Sequence, residues 1–250
     1  MVKHFFLIVI LFCAFRHIPQ TEADTLVFSS SSVEPWGYFN DSKLPAGLLV
    51  ELNKALQEQL QTQVKTHLLF KNHIRPYPRV INDIKTGRAD FAVLFYTAES
   101  LSYGDSLGEI SRFDIQVTGR KNAPEITQLN DLIGKKIGYV RGSKYGPMFD
   151  NNEKLSKVSL SSMEKGVDML LKGRLDALIC LDQTLYHSLR VRSVAPSATK
   201  TLLVLGSARA DLFISKRSDM HSYSPLVKEA LVQLHKKGTI KAIFDPNRPR

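Results

Sequence analysis

The chain has 250 residues, 43% of them hydrophobic and 23% charged, with a formal net charge of +10. That balance excludes extended disorder, and the length allows two lobes of about 100 residues each. The positive charge is spread over scattered lysines and arginines with no RNA- or DNA-reading signature, so no nucleic-acid partner is expected.

The first segment, MVKHFFLIVILFCAFRHIPQTEAD, has Lys3 in a short charged start and an apolar run from Phe5 to Phe15. The run is too short to cross a bilayer, which takes about 20 residues. Thr21-Glu22-Ala23 fits the small-x-small rule for cleavage before Asp24, so residues 1–23 read as a secretory signal peptide and the mature protein as periplasmic. The alternative, an uncleaved anchor, is opposed by Arg16 and His17, which close the run early. Leu11-Phe12 before Cys13 lacks the small residues of a lipid-attachment site. Removal of Lys3, Arg16 and Glu22 lowers the charge by one. It leaves Cys180 as the one cysteine, so no intramolecular disulfide forms. Its place inside LDALICL marks a buried structural thiol.

From Asp24 the pattern alternates. TLVFSSS is a strand, and a Pro/Gly-rich loop, VEPWGYFNDSKLPAG, follows it. Leu48, Leu49, Leu52, Ala55, Leu56 and Leu60 then recur at helical spacing. QVKTHLLF is a second strand. YPRVINDIKTG is a helix with Val80, Ile81 and Ile84 on one face and Gly87 as its stop, and DFAVLF is a buried strand. The grammar then repeats: KKIGYVRG and KVSLSS are strands, SMEKGVDMLLKG is a helix stopped by Gly173, and DALICL is a strand. A final strand, DLFISKR, leads into the helical SYSPLVKEALVQLHKKGTIKAIF, in which HKKGTIK closes a helix with cations at its end.

Gly-Arg-x-Asp thus occurs twice, at Gly87 to Asp90 and at Gly173 to Asp176. Each copy is the helix-to-strand turn of a crossover unit, with glycine as left-handed cap and aspartate at the strand entrance. Strands alternating with helices of 10–15 residues predict an α/β fold with two mostly parallel sheets. RFDIQVTGR and KTLLVLGSARADLFISKR are extended and alternate. They would carry the chain from one lobe to the other and back.

Five phrases in this order resemble the bacterial extracellular solute-binding protein family 3, which serves amino-acid-type ABC transporters. They are EPWGYFND…LPAGLLVELNKAL, YPRVINDIKTGRADFAVLFYTAES, LNDLIGKKIGYVRGSKYG, GVDMLLKGRLDALI and ADLFISKRSD…LVKEALVQLHKKGTIKAIFD, covering nearly all of Thr25 to Asp245. The resemblance implies a two-lobe, type II periplasmic-binding-protein-like clamshell with two crossing strands. Lobe 1 would comprise residues 24–118 and 208–250, and lobe 2 residues 119–207. Ligand would sit in the cleft between them.

Carried over residue by residue, the resemblance puts Trp36 and Tyr38 on the first loop of lobe 1, lining the cleft; the plain alternative is that Trp36 packs the loop. Tyr96 and Thr97 would offer backbone and hydroxyl groups to a ligand carboxylate. Gly142 and Ser143 would stand where a lobe 2 helix starts and direct N–H groups at an anion, or form an ordinary cap. Two departures stand out. The family's Thr-x-x-Arg pattern, whose arginine grips the α-carboxylate, reads here Thr97-Ala98-Glu99-Ser100. Arg79 is the candidate substitute, with Arg75 and Arg141 behind it. The family's ammonium-binding aspartate falls at Leu181, and the nearest acid is Asp182, which is equally placed as the N-cap of QTLYHSLRVR.

Other chemistries fare worse. GDSLG (104–108) matches a nucleophile elbow but lacks the strand before it and the helix after it. GYVRGSK has three residues between its glycines where a phosphate-binding loop needs four. The histidines show no i, i+4 pair, so no metal site is expected, and no cofactor either. The leading expectation is a monomeric binding protein without chemistry of its own. It would take a small polar or amino-acid-like molecule and present it to an ABC permease or a membrane receptor. The alternative is an enzyme on the same scaffold, a small dehydratase, whose cleft acid would be Glu34, Glu99 or Asp182.

Overall fold

The computed structural model describes residues 24–64 and 68–244; the expected signal peptide lies outside them. The chain runs β1 (Asp24–Ser31), β2 (Tyr38–Phe39), β3 (Pro45–Ala46), α1 (Leu48–Gln61), β4 (Leu68–Arg75), α2 (Tyr77–Thr86), β5 (Phe91–Phe95), α3 (Ala98–Tyr103) and β6 (Gly104–Arg120). It continues through β7 (Lys136–Val140), α4 (Pro147–Asp150), β8 (Ser156–Leu160), α5 (Met163–Leu171), β9 (Ala177–Leu181), α6 (Asp182–Val191), β10 (Thr199–Ser215), α7 (Ser224–Lys236) and α8 (Thr239–Phe244). No helix among the described residues is long and apolar enough to cross a membrane.

The α/β expectation holds, with one correction to the sheets. Instead of two separate sheets, eight strands form one hydrogen-bonded ladder in the order β4-β1-β5-β10-β6-β9-β7-β8. β6 and β10 are the cause. Each is 17 residues long, about 55 Å of extended chain, and they pair antiparallel along their length. β1 pairs parallel with β4 and β5 at one end of the ladder, as β7 does with β8 and β9 at the other. These two ends are here the first and second regions.

In the first region, Leu26, Phe28, Leu52, Leu56, Leu212 and Leu231 form a core between β1, α1, β10 and α7, with Phe28 stacked on Phe70 and Phe91 at 4.9 Å. On the other face Val80 and Ile84 of α2 pack on Ala92, Leu94 and Phe213. The second region has its own apolar clusters, one around Val117, Ile137, Phe149 and Ile179 and another around Leu160, Val167, Leu178 and Leu185. Cys180 is fully buried there, and burial pushes its thiol up to about 12, which keeps it protonated and inert.

Two element boundaries move. The second strand, described from Leu68, runs on to Arg75, past the end of QVKTHLLF, because β4 is an edge strand paired with β1 that tolerates Lys71 and Asn72. The last helical stretch splits at Gly238, whose φ of 72° ends α7 before α8 begins.

Candidate ligand-binding cleft

A cavity open at its mouth lies where the two regions face each other across β6 and β10. The first region contributes Val33 and Trp36 from the loop after β1, Tyr77 from α2, Val93 and Phe95 from β5, and Phe113 from β6. The second region contributes Val140, Ser143, Lys144 and Tyr145 from the end of β7 and the segment after it, and Leu181 and Thr184 from the β9–α6 junction.

Trp36 is 9% exposed, with its ring edge-on to Phe113 at 4.6 Å. Its Nε1–H donates to Thr184 Oγ1 at 3.2 Å, a hydrogen bond from the first region to the second. Trp36 therefore both lines the cavity and packs its loop. The loop is held by the start of α1, where Leu48 and Leu49 donate backbone N–H groups to the Pro35 and Trp36 carbonyls at 3.0 and 2.9 Å.

Of the eight residues singled out in the sequence, Trp36 and Ser143 line this cavity and the other six do not. Tyr38 sits in the β2–β3 hairpin opposite Ala46. Arg79 is exposed on α2. Tyr96 lies one residue beyond the end of β5, and its ring lies 4.2 Å from the Arg209 guanidinium. Arg209 in turn grips the fully buried Asp211 with two hydrogen bonds of 2.7 Å.

Thr97 caps α3. Its Oγ1 accepts from Ser100 N at 3.1 Å, while Ser100 Oγ accepts from Thr97 N at 2.9 Å and donates to Thr97 O at 2.9 Å. The serine in the place of the family's arginine is thus buried and committed to a helix cap. Neither reserve arginine replaces it: Arg75 pairs with Asp83 at 3.0 Å and Arg141 donates to Ser159 Oγ at 3.3 Å.

The expected helix start at Gly142 and Ser143 is corrected. Gly142 has φ of 81° and lies in a turn, Gly146 follows with φ of 98°, and the next helix is the single turn from Pro147 to Asp150. Two positive-φ glycines keep the backbone out of helix until the proline sets it. Gly142 and Ser143 therefore offer no helix-terminal N–H groups to an anion.

Asp182 is the first residue of α6 and Leu181 the position before it, so the N-cap alternative misses by one residue. Asp182 Oδ1 accepts from Gln183 N at 2.7 Å, and burial raises its pKa, with the nearby Asp114 charge acting the same way. Leu181, at the family's aspartate position, is the one that lines the cavity.

The GDSLG serine, Ser106, is within β6 and donates to Asp211 Oδ2 at 2.5 Å, in a strand and not at an elbow. Among the described residues, one group of possible metal ligands converges: Glu34, Glu164 and His187, with one ligand-type atom each, all within 4.8 Å. Nothing in the local sequence signals it, because the three come from separate elements. His187 Nε2 lies 3.4 Å from Glu34 Oε2, and Glu164 Oε1 accepts from Ser188 Oγ at 2.7 Å. With these partners in place the trio reads as a polar clasp between the loop after β1 and the α5–α6 pair. It lies beside the cavity, flanked by Val33, Trp36 and Thr184.

No protein-family model matches the chain, and no curated protein does. Solved structures do. A histidine kinase sensor domain with similarity to periplasmic binding proteins superposes with a TM-score of 0.70 at 17% identity, covering 89% of this chain and 94% of that one. A mutant of ArgBP from T. maritima gives 0.69 at 16% identity over 88% and 93%. The substrate-binding protein of an amino acid ABC transporter gives 0.67 at 18% over 88% and 97%. The fold is that of the periplasmic binding proteins.

Proposed function

We propose that the protein is an exported solute-binding protein. It captures a small molecule in the cleft and presents its closed form to a membrane partner, an ABC permease or a receptor. The observation that carries this reading is the cavity itself, with walls drawn from both regions and bridged by the Trp36–Thr184 hydrogen bond. A ligand that touches both walls only when they are together stabilises the closed arrangement, and its binding energy sets how far the equilibrium moves. The lobes are residues 24–118 with 208–250, and residues 119–207, joined through β6 and β10. Both kinds of partner have a similar fold among the solved structures, a sensor domain and a transporter's substrate-binding protein.

A non-catalytic role is supported by the positions of the three acids considered for an enzyme. Glu99 is exposed and pairs with Lys85 at 3.1 Å, Glu34 faces His187, and Asp182 sits at the start of α6; none lines the cavity. The test is thermal melting against a panel of amino acids, polyamines, sugars, organic acids and peptides. A ligand at 100 times its Kd adds about 2.7 kcal/mol and raises Tm by several degrees. A panel in which no compound moves Tm overturns this reading.

A further inference from the structure

We propose that the cleft takes a small, predominantly apolar monocarboxylate, an aryl or branched-alkyl acid without an ammonium group, with its carboxylate at Lys144 and Ser143. The inference rests on the solute-binding reading and narrows it from a polar or amino-acid-like ligand to one chemical class.

Three features of the cavity wall carry it. The first is the surface a ligand would meet: Val93, Phe95, Phe113, Val140 and Leu181, with the edge of Trp36. Such a wall rewards apolar area and aromatic contact. The second is what is missing from the set. Among the described residues no aspartate or glutamate lines the cavity, and the position where an ammonium partner is expected is Leu181. An ammonium enclosed there would lose its water and meet no carboxylate in the cavity wall.

The third is the one charged group in the lining. Lys144, itself exposed to solvent, lines the cavity next to Ser143, and among the described residues it has no hydrogen-bond or ion-pair partner. Two other cations of the second region are engaged elsewhere: Lys157 donates to the Asp150 carbonyl at 2.9 Å and Arg141 to Ser159 Oγ at 3.3 Å. A lone cation on an apolar wall selects an anion, and its flexible stem can follow ligands of different length. The neighbouring phenol of Tyr145 is pushed up by burial and stays neutral, so it adds a hydroxyl and no competing negative charge.

The chain's single tryptophan is Trp36, so its fluorescence reports directly on the cleft. The experiment is titration of the full chain with matched sets sharing one body: 3-phenylpropanoate, phenylalanine, phenethylamine and 3-phenylpropan-1-ol, then 4-methylpentanoate against leucine. The expected result is saturable binding of at least one of the two acids, at least tenfold tighter than the matching amino acid, with no response to phenethylamine. Lys144→Gln is expected to weaken that acid tenfold or more; where the alcohol binds, its affinity is unchanged. An amino acid that binds as tightly as its deaminated partner overturns the ligand class while leaving a solute-binding protein. Equal loss of acid and alcohol in Lys144→Gln overturns the assignment of the carboxylate to Lys144. Silence toward both acids overturns the proposal, and the melting panel then decides separately whether the solute-binding reading survives.

Discussion

Gly87 and Gly173 leave their helices with φ of 73° and 68°. Three residues later Asp90 and Asp176 each accept a backbone N–H at 2.8 Å, from Val27 and Lys136, the neighbouring parallel strand in each case. The backbone answers in the same register, Asp90 N to Val27 O and Asp176 N to Lys136 O, both at 2.9 Å. The two turns are alike to that point and differ in what surrounds them. The exit of β10 runs back over the first: Asp90 Oδ1 also accepts from Ser218 Oγ at 2.6 Å, and Arg217 O lies 2.9 Å from where a Gly87 side chain would begin. Over the second there is only the tip of Arg120, at 3.5 Å, whose Nη1 donates to the Leu170 and Leu175 carbonyls. A local motif builds the turn; the returning chain determines how much the turn carries.

The sharpest way to break the comparison is alanine at each glycine. Both substitutions force a side chain into a left-handed conformation, which costs about 1 kcal/mol. At Gly87 the methyl also meets a backbone carbonyl that cannot rotate away, so the expected loss is about 3 kcal/mol. At Gly173 the methyl meets Arg120 Nη1 at 3.5 Å, an ordinary contact, and the loss stays at about 1 kcal/mol. Urea unfolding of the two variants at unchanged m checks this, and equal losses would mean that the β10 exit does not brace the first turn.

Alanine at the two aspartates is next in size. Asp90→Ala strands the Val27 N–H and the Ser218 hydroxyl and is expected to cost about 2 kcal/mol. Asp176→Ala strands one N–H at a more open site and should cost about 1 kcal/mol. Ser218→Ala separates the causes: it should bring the Asp90 site close to the Asp176 site and so remove about half of the difference, again read from urea midpoints.

Between the regions, Thr184→Val removes the acceptor of the Trp36 indole while nearly keeping its shape. A buried N–H left unpaired costs about 1 kcal/mol, and the emission of Trp36 should shift with it. An unchanged emission maximum would show that the indole finds another acceptor.

The turns were legible because glycine and aspartate act within a few residues of themselves, and so were the helices whose apolar faces repeat in the sequence. β4 was ended too early because its run of consecutive apolar residues, Leu68 to Phe70, is followed by Lys71, Asn72 and His73. The polar remainder is a strand through its pairing with β1, which the segment itself does not encode. The cleft was legible only at Trp36 and Ser143. Its other walls are apolar residues such as Val93 and Leu181, which look like core until two distant segments leave a space between them. Tyr96 was misplaced for a related reason. It lies one residue beyond the end of β5, and its partner Arg209 comes from a distant part of the chain.

The smallest expected effect is a pH dependence that again sets the regions side by side. His73 in β4 and His187 in α6 both have their pKa lowered below the usual 6.5, in each case chiefly by burial. Around His73, Arg75 and Lys71 lower it further and Asp83 opposes them. Around His187, Glu34 and Glu164 oppose the burial effect and Arg190 adds to it. In both, the folded state holds the ring neutral while the unfolded chain protonates near 6.5. Between the folded and unfolded values the unfolded chain therefore binds more protons, and stability falls as pH drops below 6.5. Melting temperatures measured from pH 8 to pH 5 should show that fall, and His73→Gln and His187→Gln should each flatten part of it. Replacing Glu34 with Gln should then deepen the fall, since the neutral side chain no longer supports the protonated ring. A shallower fall in that variant would mean that the clasp does not face His187 in solution.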